Sequence, residues 1–528
     1  MNFFLFQQLA LPEINFPLIL PEIIVATVGA IIMLYDCFFP NQRTVTGAVS
    51  LLGLGAAAVA AILLWTNNGA MDAAKDFNGM IAFDGLRLSF TLVFIIVSAL
   101  TILISTVWVE NEDLPAGEYH ALLLFATVGM MLMAAGNDLV MIFIGLETLS
   151  IATYVLAGLR RTDLRSNESA LKYFILGSFS SAFLLYGMAL TYGATGTRAG
   201  LAGVTNITEI GSRVAAGDLQ FPALLLVGAA LMLIGFGFKI AAAPFHVWTP
   251  DVYEGAPTPV TSLLATGSKA AGFAAFLRVF IFAFPFVTVL NSAGGQVHEA
   301  WLTALSLMAI LTMIVGNVAA IVQNNIKRML AYSSIAHAGY ALVGFVGAGA
   351  ADTAAKRDDA IAAVAFYLLS YAVTSLGAFA IVTLLAQKGD RRTEFEDYVG
   401  IGFKSPLMAF SLSLFMLSLL GIPLTAGFIG KVLVFRPALE ATSLHPELYW
   451  LVIVAVINTA ISAYYYLRLI VVMFFRERTT EWAVPRVPTS IALVLAITVL
   501  SVFYFGIFSN GTFEGFRRQP ITTIQAAK

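Results

Sequence analysis

The sequence predicts an all-helical polytopic membrane protein of about fourteen spans, on three observations. Apolar residues make up 59% of the 528 and charged residues only 11%, whereas a soluble domain carries roughly 25% charged residues. Mean hydropathy is +0.87. Apolar runs long enough to cross roughly 30 Å of hydrocarbon as helix recur from end to end, and alternating ten-residue segments of barrel type are absent. Soluble enzymes, nucleic-acid binders, collagen-like chains and disordered proteins are excluded at this point. The 29 basic and 31 acidic residues balance to a net −2 and call for no polyanion partner. A single cysteine, Cys37, rules out a disulfide framework or a cysteine-built metal site.

In order, the spans fall near 17–39, 46–65, 88–109, 119–136, 139–158, 169–193, 221–243, 259–284, 301–322, 329–349, 360–385, 406–435, 449–475 and 489–508. The first is entered by Pro21-Glu22, with neither a basic leader nor a cleavage site before it. In the second, Gly53-Leu-Gly55 lacks the preceding strand of a dinucleotide motif and reads as close helix packing. The fifth carries Glu147 at its middle and the sixth carries Lys172 near its start. Lys239, Lys269 and Lys431 stand in the seventh, eighth and twelfth, and Arg468 in the thirteenth. The five histidines, His120, His246, His298, His337 and His445, are scattered and form no haem or metal pair.

Loop charge gives orientation through the positive-inside rule. Loops after odd-numbered spans hold Arg43, the group Arg160, Arg161 and Arg165, the pair Lys327 and Arg328, and further lysines and arginines at 388–404 and 476–486. The other side holds fewer, some of them in the tail, with Arg87 and Arg278 counted there. Both termini are therefore expected on the non-cytoplasmic side of a bacterial inner membrane.

A charge inside a span is the exception that asks for a reason. A centred lysine costs roughly 2.5–3.5 kcal/mol on insertion scales, so such residues face a polar interior, find partners and serve transport. Lys172 lies close enough to its helix start to snorkel, and Glu22, Asp36 and Arg468 read as end-of-helix or packing charges. Lys239, Lys269, Lys431 and Glu147 are flanked by apolar residues on both sides and read as functional. A desolvated lysine binds its proton less tightly and a nearby carboxylate tightens it again, so a lysine with a movable glutamate is a proton site with an electrostatic trigger. A sodium cage would ask for several carboxylates and carbonyls.

Two stretches repeat. Gly235-Phe-Gly-Phe-Lys239 is followed by Pro244, and Gly427-Phe-Ile-Gly-Lys431 by Pro437, with Gly421-Ile-Pro423 interrupting the second span. Paired Gly/Pro-interrupted spans mark a transporter repeat with unwound backbone at the ion site. They are five spans apart, and an odd offset inverts one repeat relative to the other. Glu147 has no counterpart under this offset, although His337 lies close to the equivalent place and is read either as a titrating group or as a packed histidine.

The loop Pro244-Phe-His246-Val-Trp248-Thr-Pro250-Asp251-Val-Tyr253-Glu254-Gly-Ala-Pro257-Thr-Pro259, with Ser268-Lys269-Ala-Ala-Gly after it, resembles the N-type antiporter-like subunits of proton-pumping NADH-quinone oxidoreductase, respiratory complex I. Gly145-Leu-Glu147-Thr-Leu-Ser, the stretch beginning Leu171-Lys172-Tyr-Phe, and Asn325-Ile-Lys327-Arg328-Met-Leu-Ala-Tyr-Ser-Ser extend the resemblance over roughly residues 118–475. It implies two inverted five-helix repeats, over 119–284 and 301–475, after a three-helix segment 1–118 and before a last helix and tail, 489–528. It implies that Glu147 and Lys239 form the coupled pair of the first half, that Lys269 continues a polar axis, that Lys431 serves the second half, and that Lys172 is a further family lysine. NAD, FMN, iron–sulfur clusters and quinone are then expected in other subunits and none in this chain, with neighbouring membrane subunits and lipid as partners and no nucleic acid. A charge change along the membrane would shift Glu147 relative to Lys239, whose proton would pass through Lys269 to Lys431. An Mrp-like cation/proton antiporter and the corresponding subunit of a ferredoxin-fed photosynthetic-type complex are the alternatives of the same superfamily. A scaffold whose lysines only fix helix register is the bland one.

Overall fold

The computed structural model describes residues 15–39, 43–66, 76–197, 200–217, 219, 221–284, 294–478 and 485–517, with no side chains described over 294–300. Lys75, Arg198, Arg518 and Lys528 of the charge count, the His298 side chain and residues 1–14 lie outside the description. With no water at hydrocarbon depth, each backbone N–H and C=O is satisfied inside its own helix. The helices are α1 Leu20–Phe38, α2 Arg43–Thr66, α3 Gly85–Glu112, α4 Ala116–Ala135, α5 Leu139–Ala157 and α6 Leu164–Ala194. Then follow α7 Pro222–Lys239, α8 Thr258–Ala283, α9 Gly294–Ile321, α10 Ile326–Gly349 and α11 Ala354–Ala386. The chain closes with α12 Pro406–Leu420, α13 Ala426–Glu440, α14 Leu448–Phe475, α15 Thr489–Ile507 and the short α16 Ser509–Arg517.

Among the described residues thirteen helices are long and apolar enough to cross a membrane. The remaining predicted span, 406–435, is two half-helices, α12 and α13, joined end to end across Gly421–Thr425. Gly421 at φ 94° and Leu424 at φ 71° turn the backbone there. The chain thus crosses fourteen times, and Phe16 and Arg517 lie on one face. Local chemistry sets the helix starts. Asp84 caps α3, Asp138 caps α5, Asp163 caps α6, Asn325 caps α10 and Thr353 caps α11, each accepting from backbone N–H groups of the first turn.

Burial separates an inner set of helices from an outer one. The most apolar stretch of α8 is 100% buried, and those of α10 and α11 are 94% buried, whereas α6, α14 and α15 bury only a third or less of theirs. The outer helices turn Leu52, Ile151, Phe179, Leu407 and Leu500 outward, as lipid or neighbouring subunits require. Small residues let backbones touch: α4 meets α5 at Gly129 and Gly145, and α9 meets α10 at Gly316 and Gly339. These helix pairs are five spans apart.

Several residues counted as loop charges lie inside the protein. Arg87 is paired with Glu22 at 3.0 Å, and Arg278 with Asp84 at 2.7 and 2.9 Å, on the face that carries Phe16. On the opposite face Arg160 and Lys327 are buried around Asp390. Two basic residues leave each side of the loop-charge comparison, so its sign is unchanged.

Candidate functional site

The candidate site is a line of polar side chains on α5 to α8, α10, α11, α13 and α14. In the first half, Glu147 and Ser150 stand one turn apart on α5 and so share a face. Ser181 of α6 donates to Glu147 Oε1 at 2.5 Å, and Lys239 Nζ, on the last residue of α7, donates to Ser150 Oγ at 2.9 Å. Ser150, Ser181 and Lys239 border one small cavity of about 10 Å³, on the order of a single water position. Glu147 and Lys239 make no direct ion pair; each is held by its own serine, and the two serines border the same cavity. Past Lys239 the helix ends, Ala241 takes φ 58°, and irregular backbone leads to the short helix Thr249–Gly255.

At the centre, α8 passes through a π-helical turn, Leu264–Ser268, immediately before Lys269. Such turns interrupt the regular ladder and are frequent at functional sites. Lys269 Nζ reaches α10, donating to the Ser334 carbonyl at 2.7 Å and to Ser334 Oγ at 2.5 Å. One turn further along α10, His337 holds Tyr367 OH of α11 at 2.6 Å through Nδ1 and Tyr466 OH of α14 at 3.2 Å through Nε2. Tyr466 OH also meets Ser333 Oγ at 2.5 Å.

In the second half the break precedes the lysine, where in the first half it follows. The turn at Gly421 ends α12 and frees its last carbonyls. Lys431 Nζ of α13 takes the Leu420 carbonyl at 2.9 Å and stands 4.6 Å from the centre of the Tyr340 ring, a distance at which the ring face attracts a cation. The repeated Gly-Phe-x-x-Lys stretches thus place both lysines at helix breaks on opposite sides of the lysine, and the broken elements run in opposite directions across the membrane.

Lys239, Lys269, His337 and Lys431 are all buried; Glu147 is half-buried. Lys172 is elsewhere. It is 40% exposed and pairs with Glu168 and Asp251, both at 2.7 Å, in a surface cluster that Arg328 and Glu254 complete. Burial raises the Asp251 carboxyl, but Lys172 and Arg328 more than offset this and hold it below its ordinary value. Arg468 donates to the Gln323 carbonyl and to Asn324, fastening a loop. Asp36 packs against Gly117.

Sequence reasoning missed the partners. Ser150 was legible as the residue one turn from Glu147. Ser181, Ser334, Tyr367 and Tyr466 carry no signal beyond being polar in apolar spans, and a backbone acceptor such as the Leu420 carbonyl leaves no mark in sequence.

Fourteen crossings, two broken elements of opposite direction and a line of buried lysines define a membrane protein of secondary-transporter architecture. The model of the family described as NADH:quinone oxidoreductase/Mrp antiporter, TM, matches residues 136–462. NADH-quinone oxidoreductase subunit N of Trichlorobacter lovleyi is 44% identical over 486 residues, 92% of this chain and 93% of that one. The chain belongs to this family of membrane subunits. Among solved structures, a chain of respiratory complex I from Thermus thermophilus with bound aureothin is 34% identical, with a TM-score of 0.73 over 94% of this chain and 98% of that one. A chain of the Mrp complex from Dietzia sp. shares the fold, with a TM-score of 0.77 at 19% identity and 94% and 96% coverage.

Proposed function

We propose that this chain is the N-type subunit of a bacterial NADH-quinone oxidoreductase and that it moves protons across the membrane in response to electron transfer elsewhere in the assembly. The observation that carries the reading is the line of buried amines and hydroxyls, with each lysine given a neutral partner: Ser150 for Lys239, Ser334 for Lys269, the Leu420 carbonyl for Lys431. An ammonium held by neutral oxygens at depth is poised to give up its proton, whereas a lysine in a tight ion pair is not. Glu147, held by Ser181, is the charge whose movement sets the affinity of Lys239 for its proton. Protons then pass by Lys269, His337 and its tyrosines to Lys431. Lys172 belongs on this reading to the surface cluster with Asp251 rather than to the line.

The first half comprises residues 119–284 and the second 301–475, flanked by the segments 1–118 and 489–528. NAD, FMN, iron–sulfur clusters and quinone belong to other subunits, and neighbouring antiporter-like subunits cover part of the outer apolar surface. The charge of the short loops favours both termini on the non-cytoplasmic side, and the likeness to bacterial subunit N favours a bacterial inner membrane. Identity of 44% to subunit N, against 19% to the Mrp chain, favours the oxidoreductase over the antiporter.

The test is to tag the chain, extract it in mild detergent, and assay what accompanies it for NADH-dependent quinone reduction. A co-purifying assembly with that activity is expected. Within it, Lys239→Ala and Glu147→Gln should lower proton pumping several-fold at an unchanged amount of assembled complex. Unchanged pumping in both variants would leave the scaffold reading. A lone chain with sodium-dependent exchange would leave the antiporter.

A further inference from the structure

Three of the helices that carry the line, α5, α8 and α10, are tied at one end to a single oxygen atom. Asp390 lies in the loop after α11. Its Oδ2 accepts from Arg160 Nη2 at 3.2 Å, from Lys327 Nζ at 3.1 Å and from the Thr258 backbone N–H at 3.2 Å. Lys327 Nζ also donates to the Ala256 carbonyl at 2.6 Å. All three charged side chains are buried. Arg160 stands just past the end of α5, the helix of Glu147 and Ser150. Thr258 opens α8, and Lys269 follows about three turns later; Lys327 opens α10, and Ser334 follows about two turns later.

The loop itself is held in an unusual shape. Gln387 at φ 59°, Gly389 at φ 77° and Asp390 at φ 48° all have positive φ. For residues with a side chain such a conformation is unfavourable and persists only where the surroundings impose it. Gly389 N–H donates to Glu112 Oε1 at 2.6 Å, at the end of α3. The strained turn therefore presents one carboxylate to three helices and is itself fastened to a fourth.

We propose that Asp390 is a positioning residue of the proton line, setting the relative heights of α5, α8 and α10 so that Lys269 meets Ser334. This rests on the proton-translocation reading. Removing the charge leaves Lys327 without its carboxylate and Arg160 with only Asp163, at 3.5 Å, and like charges in a buried setting separate. Parting them moves α10 against α5 and α8, and the 2.5 and 2.7 Å contacts of Lys269 with Ser334 have no slack to absorb it. Proton transfer needs hydrogen-bond reach between donor and acceptor, so loss of register appears as lost pumping.

The experiment uses the whole complex in membrane vesicles and reads protons pumped per NADH oxidised, with the assembled amount measured alongside. Asp390→Asn is expected to lower that ratio roughly twofold or more, and Asp390→Glu, which keeps the charge, to restore most of it. A wild-type ratio in Asp390→Asn, or no rescue by Asp390→Glu, overturns the inference. If Asp390→Asn does not assemble, Arg160→Gln, which cuts the tie of α5 and leaves Asp390 paired with Lys327, takes its place: a lowered ratio is expected and a wild-type ratio overturns the inference. Lys269→Ala separates the two possible failures. Were pumping stopped by Lys269→Ala but untouched by Asp390→Asn, the positioning role alone would fall; were Lys269→Ala also silent, the proton line would fall and this inference with it.

Discussion

At the scale of single residues, buried charges divide by the company they keep. Lys239, Lys269 and Lys431 face hydroxyls, carbonyls and a ring, while Arg87, Arg278 and Lys327 face carboxylates. A buried pair broken on one side costs about 3–5 kcal/mol because the survivor is left uncompensated. Arg278→Ala is accordingly expected to cut the yield and lower the melting temperature of the assembled complex, more than Arg468→Ala, whose partners are neutral and half-exposed. Burial alone raises the Asp84 carboxyl, and Arg278 more than offsets it, so Asp84 titrates below its ordinary value. Such a depressed group contributes stability that is fully present above about pH 4 and is lost as the pH falls through its folded value. Melting temperature should then be indifferent to this pair between about pH 5 and 8 and fall in stronger acid; a rise on acidification would contradict the pairing.

At the scale of elements, the decisive features are interruptions. The lysines of α7 and α13 and the lysine of α8 stand beside a helix end, a broken span and a π-turn, because a regular helix spends its backbone groups on itself and has none to offer a buried amine. At Gly421 the turn requires φ 94°, and a side chain there would come within 3.2 Å of Lys431 Cδ. Gly421→Ala is expected to strain the junction by about 1–3 kcal/mol and to depress pumping more than NADH oxidation, as read in vesicles by dye quenching. Equal loss of both, or of neither, would show that the junction does not shape the site. The interruptions were legible in sequence as Gly421-Ile-Pro423 and Pro244, since few residues other than glycine and proline punctuate an apolar run. That Pro437, the counterpart of Pro244 after the repeated stretch, lies inside an unbroken helix was not, because a proline in sequence does not show whether neighbouring helices re-satisfy the backbone group it frees.

At the scale of the whole molecule, fourteen crossings bring both ends of the described chain to one face, and Arg160, Lys327 and Asp390 gather on the other. Cys37 is the one cysteine, which makes the orientation measurable. In a Cys37→Ala background, a membrane-impermeant thiol reagent should label Ser443→Cys in right-side-out vesicles and Lys388→Cys only in inverted ones, both positions being exposed. The reverse pattern would turn the molecule over and would make the short basic loops an exception to the positive-inside rule.

Composition and spacing by themselves determined the class, the spans, the paired interruptions and four charges too costly to bury without purpose. These are properties of a segment and its solvent: a run of apolar residues has one low-energy answer in a bilayer, whatever surrounds it. Which buried charge faces neutral oxygens and which is held in an ion pair was decided only by tertiary structure. Arg87, Arg278, Arg160 and Lys327 sit within a few residues of helix ends, where a sequence reads them as solvated, yet packing encloses them against Glu22, Asp84 and Asp390. Lys172, a span lysine by position, reaches the surface and its carboxylates. The electrostatic fate of a charge depends on atoms within a few ångströms of it, and those atoms come from helices tens or hundreds of residues away.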